Sequence, residues 1–375
     1  MIFKKFETSD IVTGRIQPVS TGMWSDGTSS WGGDASHSFH TSSAQTTLSS
    51  SQFEPLNGMY YTNVYDGPTG SIDSEIYFSV AYGNSDGSGS SNFDTGSAQG
   101  SLLFPTKVIY NQYRNLLLTP GDSLFSFLSS NSTTVNAKEI YIISFTGAKM
   151  KDQIDPGQFQ ITLSGSFSGS ARTITLIDDS RVNTNPASSQ TGGKVYNLIQ
   201  GSIDSGSAGN VTYEGIGAIY PTLGMVVLNA SVVSSLIGKI NGKTLTYNPS
   251  DWNGGAQFAQ MQNLMFEAIR GGARVNQMHV RVTEYVPARH YFVRVKNQEY
   301  NYSNNPTFVL SAAEASSPQD AGKIRFTDFY TDPKVYITTV GLYNDNNDLV
   351  AVAKLSQPLL KDFTNEALIR VKIDV

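Results

Sequence analysis

A mainly β fold, built of antiparallel sandwich- or barrel-like sheets with a few short helices, follows from three features of the sequence. Charged residues are only 15% of the 375, whereas aromatics reach 11% and glycines number 34. That balance favours pleated strands and tight turns over helices with charged outer faces. Short apolar or alternating runs recur along most of the chain, separated by Gly, Asn and Asp at sandwich-like or barrel-like spacing. The chain ends on "VGLYNDNNDLVAVAKL" and "ALIRVKIDV", a hairpin pattern and an alternating strand that announce a C-terminal β domain.

Residues 1–50 are rich in Ser, Thr and Gly and too polar to fold alone. They read as an extended arm, anchored on the body or on another chain through Trp24, Trp31 and Phe39. A central β-rich domain is expected over 51–285. Its elements begin with a strand at 75–83, a polar loop "NSDGSGSSNFDTGSAQGS", and a helix at 106–118 that "TPGD" ends by proline and glycine. Strands follow at 139–147, 157–167, 171–180, 194–203, within 210–229, and at 242–248. Two helices interrupt them. One is short (230–240); the other sets Phe258, Met261, Leu264, Met265 and Ile269 on one face and stops at two glycines.

A last β region is expected over 279–309, and the C-terminal domain, 286–375, takes from it the strand "HYFVRV" and closes on "ALIRVKIDV". In its hairpin, the Asn/Asp turn supplies residues that tolerate left-handed backbone. Val340, Leu342, Leu349, Val350, Val352 and Leu355 are expected to give buried faces, and Pro358 to stop pairing along that edge. The final strand alternates apolar residues with Arg370, Lys372 and Asp374, so it suits completion of a sheet or addition to a neighbour's. Arg289, Arg294, Lys296, Arg370 and Lys372 give this domain a basic side for an acidic neighbour.

No pattern for catalysis stands out. A net charge of −5 and a pI near 5.4 carry no footprint for nucleic acid or anionic lipid. With no Cys, disulfides, thiolate zinc sites and cysteine nucleophiles are excluded. The opening "MIFKKFETSDIVTG" lacks the apolar core of a secretory signal, and no run approaches the roughly 18 apolar residues of a membrane helix. "HSFH" (His37, His40) lacks the helical frame of a metalloprotease, His290 reads as a surface or interface histidine, and neither the strand-to-helix elbow of a GxSxG nucleophile nor a Walker A lysine appears. The loop carrying Asn84, Asp86 and Asp94 fails the alternation of a calcium loop. Asp178 and Asp179 are strand neighbours that face apart, which favours a turn cap over a shared substrate. The expectation is a protein that is no enzyme and holds no metal or cofactor.

Several stretches, "YFSVAYGNSDGSGS", "KVIYNQYRNLLL", "TLIDDSRVN", "GGKVYNLIQGSID" and "HYFVRVKNQEYNYSNNPTFV", together with the segment from "PKVYITTVGLY" to the end, carry a resemblance. Over roughly residues 55–375 the chain resembles virion structural proteins of T-even-like contractile-tailed phages (myoviruses), cyanophages of marine cyanobacteria among them. The closing hairpin and strand look like a module shared by phage baseplate and tail-fibre-attachment proteins, baseplate wedge subunits included. The resemblance implies a structural role in the phage tail or baseplate and a virion location after assembly in the host cytoplasm. It also implies tail and baseplate proteins as partners, with homo-oligomerisation, and no binding of nucleic acid or membrane. The candidate interface residues are Trp24, Trp31, Phe39, Arg289, Arg294, Lys296, Leu342, Tyr343, Arg370 and Lys372. The alternative is a receptor- or glycan-binding fibre or decoration protein, suggested by the surplus of Tyr, Trp, Asn and Ser. Without visible repeats, a fibre shaft is disfavoured.

Overall fold

The computed structural model describes residues 4–14, 17–24, 30–31, 39–41, 60–67, 74–90, 104–130, 133–189, 193–203, 212–251, 257–271 and 277–374. It is mainly β, with 46% strand and 17% helix. The chain divides into two compact units: Pro18–Glu284, and Met1–Gln17 with Tyr285–Val375.

The strands in chain order begin with β1 (Ile11–Thr13), β2 (Gln17–Gly22), β3 (Ser30–Trp31), β4 (His40–Thr41), β5 (Thr62–Tyr65) and β6 (Ile76–Asn84). Next come β7 (Phe125–Leu128), β8 (Thr134–Ala137), β9 (Glu139–Phe145), β10 (Gln153–Phe167), β11 (Ser170–Asp178), β12 (Ala187–Ser188) and β13 (Lys194–Gln200). The rest are β14 (Gly217–Tyr220), β15 (Met225–Asn229), β16 (Met278–Val286), β17 (Ala288–Val295), β18 (Val335–Tyr343), β19 (Leu349–Lys361) and β20 (Ala367–Asp374). The helices are α1 (Pro105–Leu117), α2 (Gly147–Met150), α3 (Ala230–Ile237) and α4 (Gln257–Arg270).

In the larger unit one curled antiparallel sheet runs β2-β16-β10-β11-β13-β14-β15-β9-β6-β5-β4, with β3 also on β16 and β12 on β13. Its middle strands are apolar on both faces because both faces are covered. Along β9, Tyr141, Ile143 and Phe145 enter the main core, which also holds Val233 and Ile237 of α3 and Met261, Met265 and Ile269 of α4. Ile140 and Ile142 point the other way, into a second core with Ile109 and Tyr110 of α1 and Phe125 and Phe127 of β7. Helix α1 opens on Pro105, which loses no hydrogen bond at that position. It comes so close to β6 that a Cβ on Gly83 would lie 3.0 Å from the Tyr110 nitrogen. Asn229 caps α3 by accepting from Ser231 N at 3.2 Å.

In the smaller unit β1-β17-β20 form a three-stranded sheet, and β18 and β19 pair as a long hairpin. Ile369, Val371 and Ile373 of β20, with Tyr291 and Val293 of β17, pack on Val340, Leu342, Ala351 and Ala353 of the hairpin. A second small core joins Phe308, Val309 and Val335.

Three expectations change. The first 50 residues are not one arm, because β1 pairs with β17 in the smaller unit while Met23, Trp24 and Phe39 lie in the core of the larger. Their polar composition is compatible with this because strand pairing uses backbone groups that composition does not reveal. "GKTLTYN" (242–248) is not a strand. Its polar groups are taken by side chains: Tyr141 Oη donates to Leu245 O, Tyr247 N donates to Glu139 Oε2, and Thr244 Oγ1 donates to Asp251 Oδ2. Pro358 does not stop β19 either. The register jumps from Ile337↔Leu359 to Thr339↔Lys354, and Pro358 lies in that bulge, where its missing N–H leaves no ladder bond unmade.

Candidate assembly surface

The ten candidate interface residues separate into buried and exposed sets. Trp24 and Phe39 are 2% and 0% exposed, with ring centroids 6.0 Å apart, and Phe39 meets Phe78 edge-on at 5.1 Å. They anchor their segments to the body and offer nothing to a neighbour. Trp31 pairs in register with Met278, and its side chain lies outside the described residues. Leu342 is 8% exposed and belongs to the core between hairpin and sheet, whereas Tyr343, the next residue, faces outward at 38%.

The five cations do not form one side. Strand alternation puts Arg289 on the face of Tyr291 and Val293, and Arg294 on the face of His290 and Phe292. Register across to β20 places Arg370 opposite Phe292 and Lys372 opposite His290, so Arg294, Arg370 and Lys372 share the outer face with Leu368. Arg294 pairs with Asp10 at 3.2 Å and Lys372 with Asp374 at 2.9 Å. Arg370 is the cation of this face with no ion pair among the described residues. Lys296 lies beyond β17 in a turn, where its N–H donates to Glu299 Oε2 at 2.9 Å. Hydrogen bonding from Lys4 holds the Glu299 carboxyl below its usual range. His290 is half-buried rather than on the surface, and its ring abuts Gly14, where a Cβ would come within 2.6 Å of Nε2.

The hairpin exposes what the sequence reading buried. Val340, Leu342 and Leu355 do face the sheet, but Leu349, Val350 and Val352 are 53%, 67% and 59% exposed. Leu368 on β20 and Tyr336 on β18 are also well exposed. Nearby loops add a chain of touching rings, Tyr302–Phe308–Phe329–Phe326, with both end members exposed. Sequence reading carried a β region through Tyr302 and Phe308 to residue 309, but β17 ends at Val295 and these two rings stand in the loops beyond it.

It also passed over Lys361, whose side chain is fully buried. Its ammonium donates at 2.8 Å to Asn297 O, Asn301 Oδ1 and Asp362 O. Burial pulls its pKa down. A lysine closing the apolar run "PLL" was the available signal.

In the larger unit, the paired carboxylates have internal work. Both oxygens of Asp178 accept from Gly157 N, and Oδ1 also accepts from Ser180 N; burial pushes this carboxyl up. Asp179 accepts from Asn197 N, Asn197 Nδ2, Asn183 Nδ2 and Tyr213 Oη. The two acids cap separate turns, as their spacing suggested. Among the described residues no group of three or more acids or histidines is gathered for a metal, and no helix is long and apolar enough to cross a membrane. His40 lies in β4; His37 and Asp94 fall outside the described residues.

No protein-family model, no curated protein and no solved structure matches the chain.

Proposed function

We propose that the chain is a structural subunit of a contractile phage tail, a wedge-type baseplate protein that assembles through its C-terminal unit and performs no chemistry. The observation that carries this reading is the apolar surface of that unit. Val350, Tyr336 and Leu368 are 67%, 64% and 63% exposed, beside internal cores of only a few residues. A soluble unit with so small a core and so much apolar surface is of the kind that neighbours cover. The outer face of β17 and β20 suits an acidic neighbour through Arg370, beside the apolar Leu368 and Phe292. In this reading the protein is made in the host cytoplasm, resides in the virion, and contacts other tail and baseplate proteins.

The test is an antibody against this chain applied to purified tailed particles and viewed by electron microscopy. Label at the baseplate is expected; particles without the chain refute the reading. Leu368→Asp with Arg370→Glu, both on the exposed face, should leave folding intact and reduce incorporation. A second reading, glycan binding, draws on the exposed rings of Tyr302, Phe326 and Tyr330, since flat exposed aromatics stack on sugars. Label on fibres together with retention on a polysaccharide column would favour it.

A further inference from the structure

The outward face of the β18–β19 hairpin is unusual for a two-stranded ribbon. Cross-strand pairs alternate between faces. Val340↔Ala353 and Leu342↔Ala351 look inward to the core, so Thr339↔Lys354 and Gly341↔Val352 look outward. At the turn end the register slips between Leu342↔Ala351 and Tyr343↔Leu349, a bulge that leaves both Leu349 and Val350 exposed. A Cβ on Gly341 would sit 3.1 Å from the Tyr343 ring and 3.2 Å from Leu349 Cδ1, so these side chains close over the glycine. Tyr343, Leu349, Val350 and Val352 thus make one apolar surface. A solvated hairpin face normally carries polar residues, and an isolated two-stranded ribbon is marginal in water.

The charges at its two ends say what covers it. Asp345 and Asp348 stand at the turn end, and Lys354 stands at the other, roughly 20 Å away at strand rise. Neither Lys354 nor Asp345 has an ion pair among the described residues. An apolar centre with opposite charges at its ends is complementary to itself turned through 180°. We propose that this face is an isologous contact between two copies of the chain, with a two-fold axis near Ala351. In that arrangement Val350 meets Val352 of the second copy, and each Lys354 comes beside the other copy's Asp348. A parallel arrangement stacks like charges and is disfavoured. The inference does not depend on where the protein acts.

Sedimentation equilibrium of the full chain tests it, with melting curves to confirm that each variant is folded. The wild type is expected to dimerise and Val352→Asp, at an exposed position, to be monomeric. Lys354→Glu and Asp348→Lys alone should each weaken the dimer by about tenfold, roughly 1.4 kcal/mol, and the double variant should recover it. Asp348 also accepts from Asn344 Nδ2 at 3.1 Å, so the turn is checked by the melt, and Val352→Asp stands as the independent variant. A wild type that stays monomeric at about 100 μM overturns the proposal, since a contact of this kind should register there. So does a dimer indifferent to Val352→Asp, or charge variants that weaken it without mutual rescue. A monomer whose hairpin variants fail to enter particles assigns the face to a different protein and likewise overturns it.

Discussion

Replacing Lys361 by Met removes one charge from a fully buried position and leaves three oxygens behind. The ammonium holds Asn297 O, Asn301 Oδ1 and Asp362 O, each at 2.8 Å, and so ties the end of β19 to the turn after β17. That turn contains Tyr300 at φ 56°, a left-handed conformation that a residue with a ring adopts only when its surroundings hold it. Stranding a buried acceptor costs about 1–3 kcal/mol, so three would cost about 3–9 kcal/mol if none relaxed toward water. Methionine also relieves the burial of a charge, an offset of several kcal/mol at most. The net expectation is a loss of about 3 kcal/mol, which for a unit of this size lowers the melting temperature by roughly 10–20 °C. Calorimetry of the full chain reads this as a shift in the transition of the smaller unit, with Lys5→Met, at an exposed position of the same unit, as the control. Because burial lowers the Lys361 pKa, the unfolded chain keeps its proton to higher pH than the folded one. Unfolding free energy therefore rises with pH in the window below 10.5, and the variant loses that slope. A melt within about 0.5 kcal/mol of wild type, the range of ordinary surface substitutions, refutes the reasoning.

Two further outcomes concern carboxylates. Asp179→Ala leaves four donors from Asn197, Asn183 and Tyr213 without their acceptor and is expected to destabilise the larger unit by about 3 kcal/mol in urea unfolding. A neutral result would mean that the turn does not depend on this cap. Glu314 has its pKa lowered to about 2 by hydrogen bonds from Arg325 and Ser311. A depressed carboxylate stabilises above its ordinary 4.5 and loses that contribution as pH falls towards 2. NMR titration should find Glu314 protonating well below its ordinary range in dilute buffer and moving back towards it in high salt, since the Glu314 side chain is open to solvent. Titration at the ordinary value in both would disprove the pairing.

Periodicity located what local physics controls. The α1 and α4 patterns, the strands expected at 139–147, 157–167 and 171–180, and the alternating β20 overlie observed elements, with β10 starting four residues early, at Gln153. Spacing could not say whether an alternating segment finds a ladder. "GKTLTYN" alternates, yet Tyr141, Glu139 and Asp251 occupy its backbone and hydroxyl groups first. Nor could it rank apolar residues of one hairpin, because which of Leu342 and Val352 is buried depends on which face meets β20.

By itself the sequence determined the β-rich class, most element positions, and the hairpin with its final strand, because turn chemistry and side-chain period act within a few residues. Only the tertiary structure decided that β1 lies on β17 while Trp24 and Phe39 enter the core of the larger unit. It alone showed that Arg294 pairs with Asp10, that Lys361 is sealed inside, and that Val350 and Val352 face outward. Those outcomes rest on pairings between segments up to some 280 residues apart, such as Ile11 with Tyr291, and composition carries no record of register across such a distance.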